Sequence, residues 1–126
     1  MEKKDPRVYI YVDVPDMWKR MEQADIAVSA AGSTMYELST MGVPSICCYY
    51  VENQRRIAEG FAEKVQMVNA GDFSADETAV LRKITEAVSA LAEDMNARKV
   101  LSERMKRVTD GYGADHIAEV LKEMMI

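Results

Sequence analysis

Three groups of residues in this 126-residue chain have types and spacing that can do chemistry. They are Ala30-Ala31-Gly32-Ser33-Thr34, the lone carboxylate of Glu37, and the amide pair Asn53-Gln54. Ala30, Ala31 and Gly32 present no large side chain, so a ligand can approach the backbone closely. A helix starting near Ser33 offers unpaired N–H groups and the positive end of its dipole, a seat for a diphosphate that needs no lysine. The Ser33 and Thr34 hydroxyls can add hydrogen bonds, Glu37 can accept from sugar hydroxyls, and the two amides can face a second sugar. Spacing alone leaves structural roles open. The Ala-Ala-Gly-Ser-Thr run also reads as a strand-to-helix turn with a cap, Thr34-x-x-Glu37 fits a capping box, and Asn53 is a good N-cap type. Arg55 and Arg56 read as a solvated helix face. The single histidine, His116, lies away from these groups beside Asp115 and reads as structural.

These groups need strands and helices to hold them. Arg7–Val12 is rich in β-branched and aromatic residues and predicts a strand. A helix follows from Pro15-Asp16 to about Gln23, with Met17, Trp18 and Met21 on one side. Asp25–Ser29 predicts a second strand, and Thr34–Met41 a helix stopped by Gly42. Pro44–Val51 predicts a third strand, Asn53–Lys64 a helix with the stripe Ile57, Ala58, Phe61 and Ala62, and Val65–Val68 a short fourth strand. Helical patterns then cover Asp76–Ala92 and Asn96–Val108. An Asp110-Gly-Tyr-Gly break precedes a last helix carrying Ile117, Val120, Leu121 and Met124. Repeated strand–helix alternation with unbroken apolar strands implies α/β: a Rossmann-like three-layer domain of about four parallel strands, with helices appended at its C-terminal end. The segments Ala30–Ser33 and Val51–Gln54 both follow strands, which places them on the carboxyl edge of the sheet where open α/β folds bind ligands.

Composition narrows the partners. Residues 1–126 fit one domain, with 48% apolar and 29% charged residues, ordinary for a globular protein. No stretch approaches the roughly 18–20 apolar residues of a membrane helix, and the N-terminus lacks a signal-type apolar core, so a cytoplasmic protein with no transmembrane segment is expected. A net charge of −5 argues against general affinity for nucleic acid or anionic lipid. Cys47 and Cys48 are neighbours on a predicted strand and point to opposite faces, so they suit neither a mutual disulfide nor a four-ligand zinc site. No metal or cofactor is called for. Trp18 and the ten methionines are expected mostly in the core.

Taken together, Ala24-Asp25-Ile-Ala-Val-Ser-Ala-Ala-Gly-Ser-Thr-x-x-Glu-Leu, Gly42-Val-Pro-Ser-Ile and Glu52-Asn-Gln resemble the C-terminal domain of GT-B nucleotide-sugar enzymes. The nearest likeness is to the UDP-sugar hydrolases of pseudaminic acid biosynthesis and their spore-coat polysaccharide relatives. The MurG-type N-acetylglucosaminyltransferases are similar at a greater distance. The likeness spans roughly Asp13 to Met67, and more loosely Asp110-Gly-Tyr-Gly-Ala. It implies that the Gly32-Ser33-Thr34 turn holds a diphosphate, that Glu37 bonds ribose hydroxyls, and that Asn53 and Gln54 face the sugar of a UDP-sugar. It also implies that the chain is one part of a two-domain enzyme, with the family's preceding strand, glycine loop and helix lacking and no catalytic residue of its own. The rest would come from an N-terminal GT-B domain in cis or from a separate partner subunit. A lacking first strand would expose a sheet edge and invite dimerisation there. Hydrolysis of a UDP-linked diacetamido-trideoxy hexose is the leading expectation, with sugar transfer from a UDP-sugar as the alternative. A non-catalytic Rossmann-like interaction module is a reading from a different class. A response-regulator-like domain fits less well, for want of an acidic cluster and a lysine in register.

Overall fold

The structure is a computed structural model that describes residues 5–108. The elements run α1 (Met17–Gln23), β1 (Ala27–Ala30), α2 (Ser33–Met41), β2 (Ser45–Tyr49), α3 (Glu52–Val65), β3 (Asn69–Asp72), α4 (Glu77–Glu93) and α5 (Met95–Lys106). The strands form one parallel sheet in the order β1-β2-β3, with Ala27 opposite Ser45 and Ala30 opposite Cys48. Pairing of β2 with β3 sets Cys47 against Asn69 and becomes irregular before Tyr49 meets Asp72. The α/β class and parallel sheet agree with the sequence pattern. The described strands number three rather than four.

Two neighbouring cysteines divide the core. Cys47 packs with Met21 of α1, Met35 and Leu38 of α2, Phe61 of α3, and Leu101 and Met105 of α5. Cys48 joins Ile46, Ala70 and the α4 residues Val80 and Ala87 on the opposite face. Alternation along the strand thus puts four helices on one side of the sheet and α4 on the other. Both thiols are free and buried, and burial pushes the Cys47 thiol up to about 11, so it stays protonated.

Boundaries follow backbone chemistry. Gly42 ends α2 in the left-handed conformation (φ 69°), its N–H donating to the Leu38 and Ser39 carbonyls. Asp76 and Asp94 cap α4 and α5, accepting from the Ala79 and Ala97 N–H groups at 3.0 and 2.9 Å.

Several sequence expectations are corrected. The residues of Arg7–Val12 form no strand: the one backbone bond recorded for them joins the Val8 N–H to the Asp5 carbonyl at 3.0 Å, and Ile10 is 86% exposed. β-rich composition cannot make a strand without a neighbour to complete the ladder, and none of the described strands lies alongside. The strand expected at Val65–Val68 falls instead at Asn69–Asp72. Val65 closes α3, and Gln66 turns the chain with φ 60°. The Val68 carbonyl then accepts from the Cys47 N–H at 3.0 Å, which draws the poor strand former Asn-Ala-Gly-Asp into the sheet. Trp18 and Met17 are exposed, and of the α1 stripe only Met21 is buried. The Asp110 break, His116 and the last helix lie outside the described residues.

Candidate functional site

The carboxyl ends of β1 and β2 each open into a helix on the same side of the sheet. The Ala31 N–H donates to the Cys48 carbonyl at 2.8 Å, so the two strand ends are locked together about 4.8 Å apart. From there Gly32 turns into α2 and Val51 into α3. Gly32 is the N-cap of α2, extended at φ −147° and ψ −156°, and it makes no side-chain cap. Met35 N–H bonds the Gly32 carbonyl at 3.0 Å. Among the described residues, no acceptor is recorded for the N–H groups of Gly32, Ser33 and Thr34. Among the described residues the mouth of α2 is therefore open, its dipole end and donors met by none of their side chains.

The structure separates the roles that spacing left open. Thr34 lies inside the first turn of α2 and is not its cap, so the Thr34–Glu37 capping box does not form. Glu37 is exposed and has no hydrogen bond or ion pair among the described residues. It stands four residues after Ser33, on the same helix face one turn below the mouth. Asn53 likewise is not a cap, because the N-cap of α3 is Val51; Asn53 is exposed in the first turn. Gln54 is half-buried and partly committed: its Oε1 accepts from the Tyr50 N–H at 3.1 Å, while its own N–H donates to the Val51 carbonyl at 3.1 Å. The side chain thus reaches back past the Val51 cap to the residue before it, and it stiffens the β2–α3 turn. Arg55 is tied to Glu59 at 2.8 Å and Glu52 at 3.5 Å, which leaves it on the solvated face expected for it.

The sequence reading passed over the third strand end. Tyr50 packs at a tilt against Phe73 with ring centroids 5.2 Å apart, and its carbonyl lies 3.4 Å from Ser74 Oγ. Ser74 Oγ donates to Asp72 at 2.6 Å, and this hydroxyl holds the Asp72 carboxyl below the usual carboxylate range. In sequence, Tyr50 merges into the apolar run of Pro44–Val51 and reads as a strand residue. Its place just before Asn53-Gln54 was the available signal. Two cavities lie away from this rim, one of about 360 Å³ between α4 and α5 near Ser45 and another of about 410 Å³ between α2 and α3 beside Phe61. No group of three or more metal-binding side chains occurs among the described residues, and none of their helices is long and apolar enough to cross a membrane.

Comparison with known proteins agrees with this architecture. The model of the glycosyltransferase family 28 C-terminal domain matches residues 2–121. The spore coat polysaccharide biosynthesis protein SpsG of Bacillus subtilis is 27% identical over 124 residues, covering 97% of this chain and 35% of that protein. The UDP-N-acetylglucosamine–N-acetylmuramyl-(pentapeptide) pyrophosphoryl-undecaprenol N-acetylglucosamine transferase of Acetivibrio thermocellus is 27% identical over 128 residues, covering 98% of this chain and 34% of that enzyme. The chain thus spans about a third of the length of these relatives. No solved structure matches it significantly.

Proposed function

This chain belongs to the glycosyltransferase family 28 C-terminal domain, and on that footing we propose that it is the UDP-sugar-binding half of a GT-B-type enzyme. The parent reaction is hydrolysis of a UDP-linked diacetamido-trideoxy hexose, in the nonulosonic acid branch of surface-glycan synthesis in the cytoplasm. One observation carries the reading. Among the described residues, the α2 mouth has small residues, open donors and no side-chain cap, and Glu37 has no partner one turn away. The diphosphate sits at Gly32-Ser33-Thr34, the ribose hydroxyls donate to Glu37, and Asn53 and the free amide NH2 of Gln54 meet the hexose.

Water attacks the anomeric carbon, the C1–O bond to the diphosphate breaks, and UDP leaves with the electron pair. Oriented N–H dipoles at the helix mouth stabilise the charge that gathers on the leaving diphosphate. The residue that takes the proton from water belongs to the other half, supplied in cis or by a separate subunit, so this chain binds without turnover. The second reading, transfer of the sugar to an acceptor hydroxyl, draws on the transferase relative, whose identity to this chain equals that of the spore-coat protein. The β1 edge offers a place for that other half or for a second copy.

The test is an amide-shift titration of the labelled chain with UDP. Signals from Gly32 through Glu37 should move, and Glu37→Ala should weaken binding about tenfold, the worth of a charged hydrogen bond. Unmoved signals at excess UDP, with the fold intact, would reject the proposal in favour of an interaction module.

A further inference from the structure

Tyr50 is the best-held exposed aromatic ring on the strand-end rim. Its backbone N–H donates to Gln54 Oε1 at 3.1 Å, and its ring lies against Phe73 with centroids 5.2 Å apart and a tilt of 43°. Despite these two attachments from two flanking segments, Tyr50 is 48% exposed. Packing does not need that surface: Phe73 belongs to the α4-side cluster, whereas Tyr50 does not. A large apolar ring held rigid but left in water loses little entropy when a ligand covers it, which is how aromatic residues serve recognition.

We infer that Tyr50 is a sugar-contact residue that selects donors whose hexose carries an apolar face. The inference rests on the UDP-sugar reading above and extends it to the sugar class. Hydrogen-bonded amides such as Asn53 and Gln54 read hydroxyls and acetamido groups, but they cannot favour a missing hydroxyl. The flat ring of Tyr50, whose backbone N–H donates to Gln54 Oε1, adds what they lack. C–H bonds of a pyranose ring and the methyl of an N-acetyl group lie against it and leave water. Removing ring hydroxyls or adding N-acetyl groups enlarges the area covered. Gln54 then has two tasks, since its Oε1 sets the position of Tyr50 while its NH2 stays free for ligand.

The experiment is calorimetric titration of the full chain with UDP, UDP-glucose and UDP-N-acetylglucosamine, in the wild type, Tyr50→Leu and Tyr50→Phe. The expected result is tighter binding of UDP-N-acetylglucosamine than of UDP-glucose by the wild type. Tyr50→Leu should shrink that preference about fivefold, the size one covered ring face supports, with UDP affinity unchanged. Tyr50→Phe, which keeps the ring, should restore it. Equal loss for all three ligands would assign Tyr50 to loop support alone and overturn the inference while sparing the UDP reading. A wild type that binds none of them overturns both. Should Tyr50→Leu fail to fold, saturation transfer from the aromatic protons of the wild type decides. Transfer to the hexose protons supports the contact, and transfer confined to the uridine excludes it.

Discussion

At Gly32 the backbone is extended, and a Cβ placed there would meet no heavy atom of the described residues within 4 Å, so their packing does not require glycine. The small residue is needed only if something outside the chain comes close. Gly32→Asp makes the two demands oppose each other. Aspartate is a strong N-cap type and should leave the melting temperature level or raised, while its charge at the helix mouth repels a diphosphate. UDP binding should fall more than tenfold, measured on the same samples that pass the thermal melt. A loss of binding that tracks a loss of stability would point to misfolding instead. Glu37 shows what sequence could and could not reveal at this scale. Its type and spacing allowed both a cap and a ligand contact, and only the start of α2 one residue earlier, at Ser33, removes the first. Tyr50 escaped notice because an exposed ring at a strand end and a buried one within the strand look alike in an apolar run.

Helix α2 is fixed at its far end by Gly42, in the left-handed region at φ 69° and packed against the Ser102 and Lys106 side chains of α5. Gly42→Ala adds both a strained conformation and a crowded contact, although the flexible Lys106 can give way. The expected cost is about 1–2 kcal/mol, or a fall of about 5 °C in melting temperature, read by circular dichroism. UDP affinity should stay within about twofold, because the mouth at Gly32 lies at the other end of the helix. Such elements were legible from sequence wherever local chemistry closes them: Gly42 stops α2, and Asp76 and Asp94 start α4 and α5. Legibility ended where tertiary pairing decides. Asn69–Asp72 has turn-like residues yet forms β3 because β2 recruits it, while Arg7–Val12 has strand-like residues and lacks a ladder.

At the scale of the whole molecule, that arm and the edge of β1, which no described strand covers, belong together. Tyr9, Ile10 and Val12 are each more than 70% exposed, and Trp18 adds a further ring nearby in sequence at 51%. Exposed apolar stretches of this kind associate. The wild-type chain should therefore show a rising mean mass in light scattering as its concentration increases. Ile10→Lys should reduce that rise without shifting the thermal melt, since the residue touches no core. A mean mass that does not respond to Ile10→Lys would place association elsewhere. The Ala27 and Ala31 N–H groups point at β2, donating to the Pro44 and Cys48 carbonyls, so by alternation the backbone groups of Val28 and Ala30 face outward. Ser29 Oγ already occupies the Ala30 carbonyl at 2.9 Å. An incoming strand therefore finds docking points at every second residue and can shift only in steps of two. A slide of one would turn its oily side chains toward solvent, so whichever polypeptide closes this sheet must arrive in a single phase.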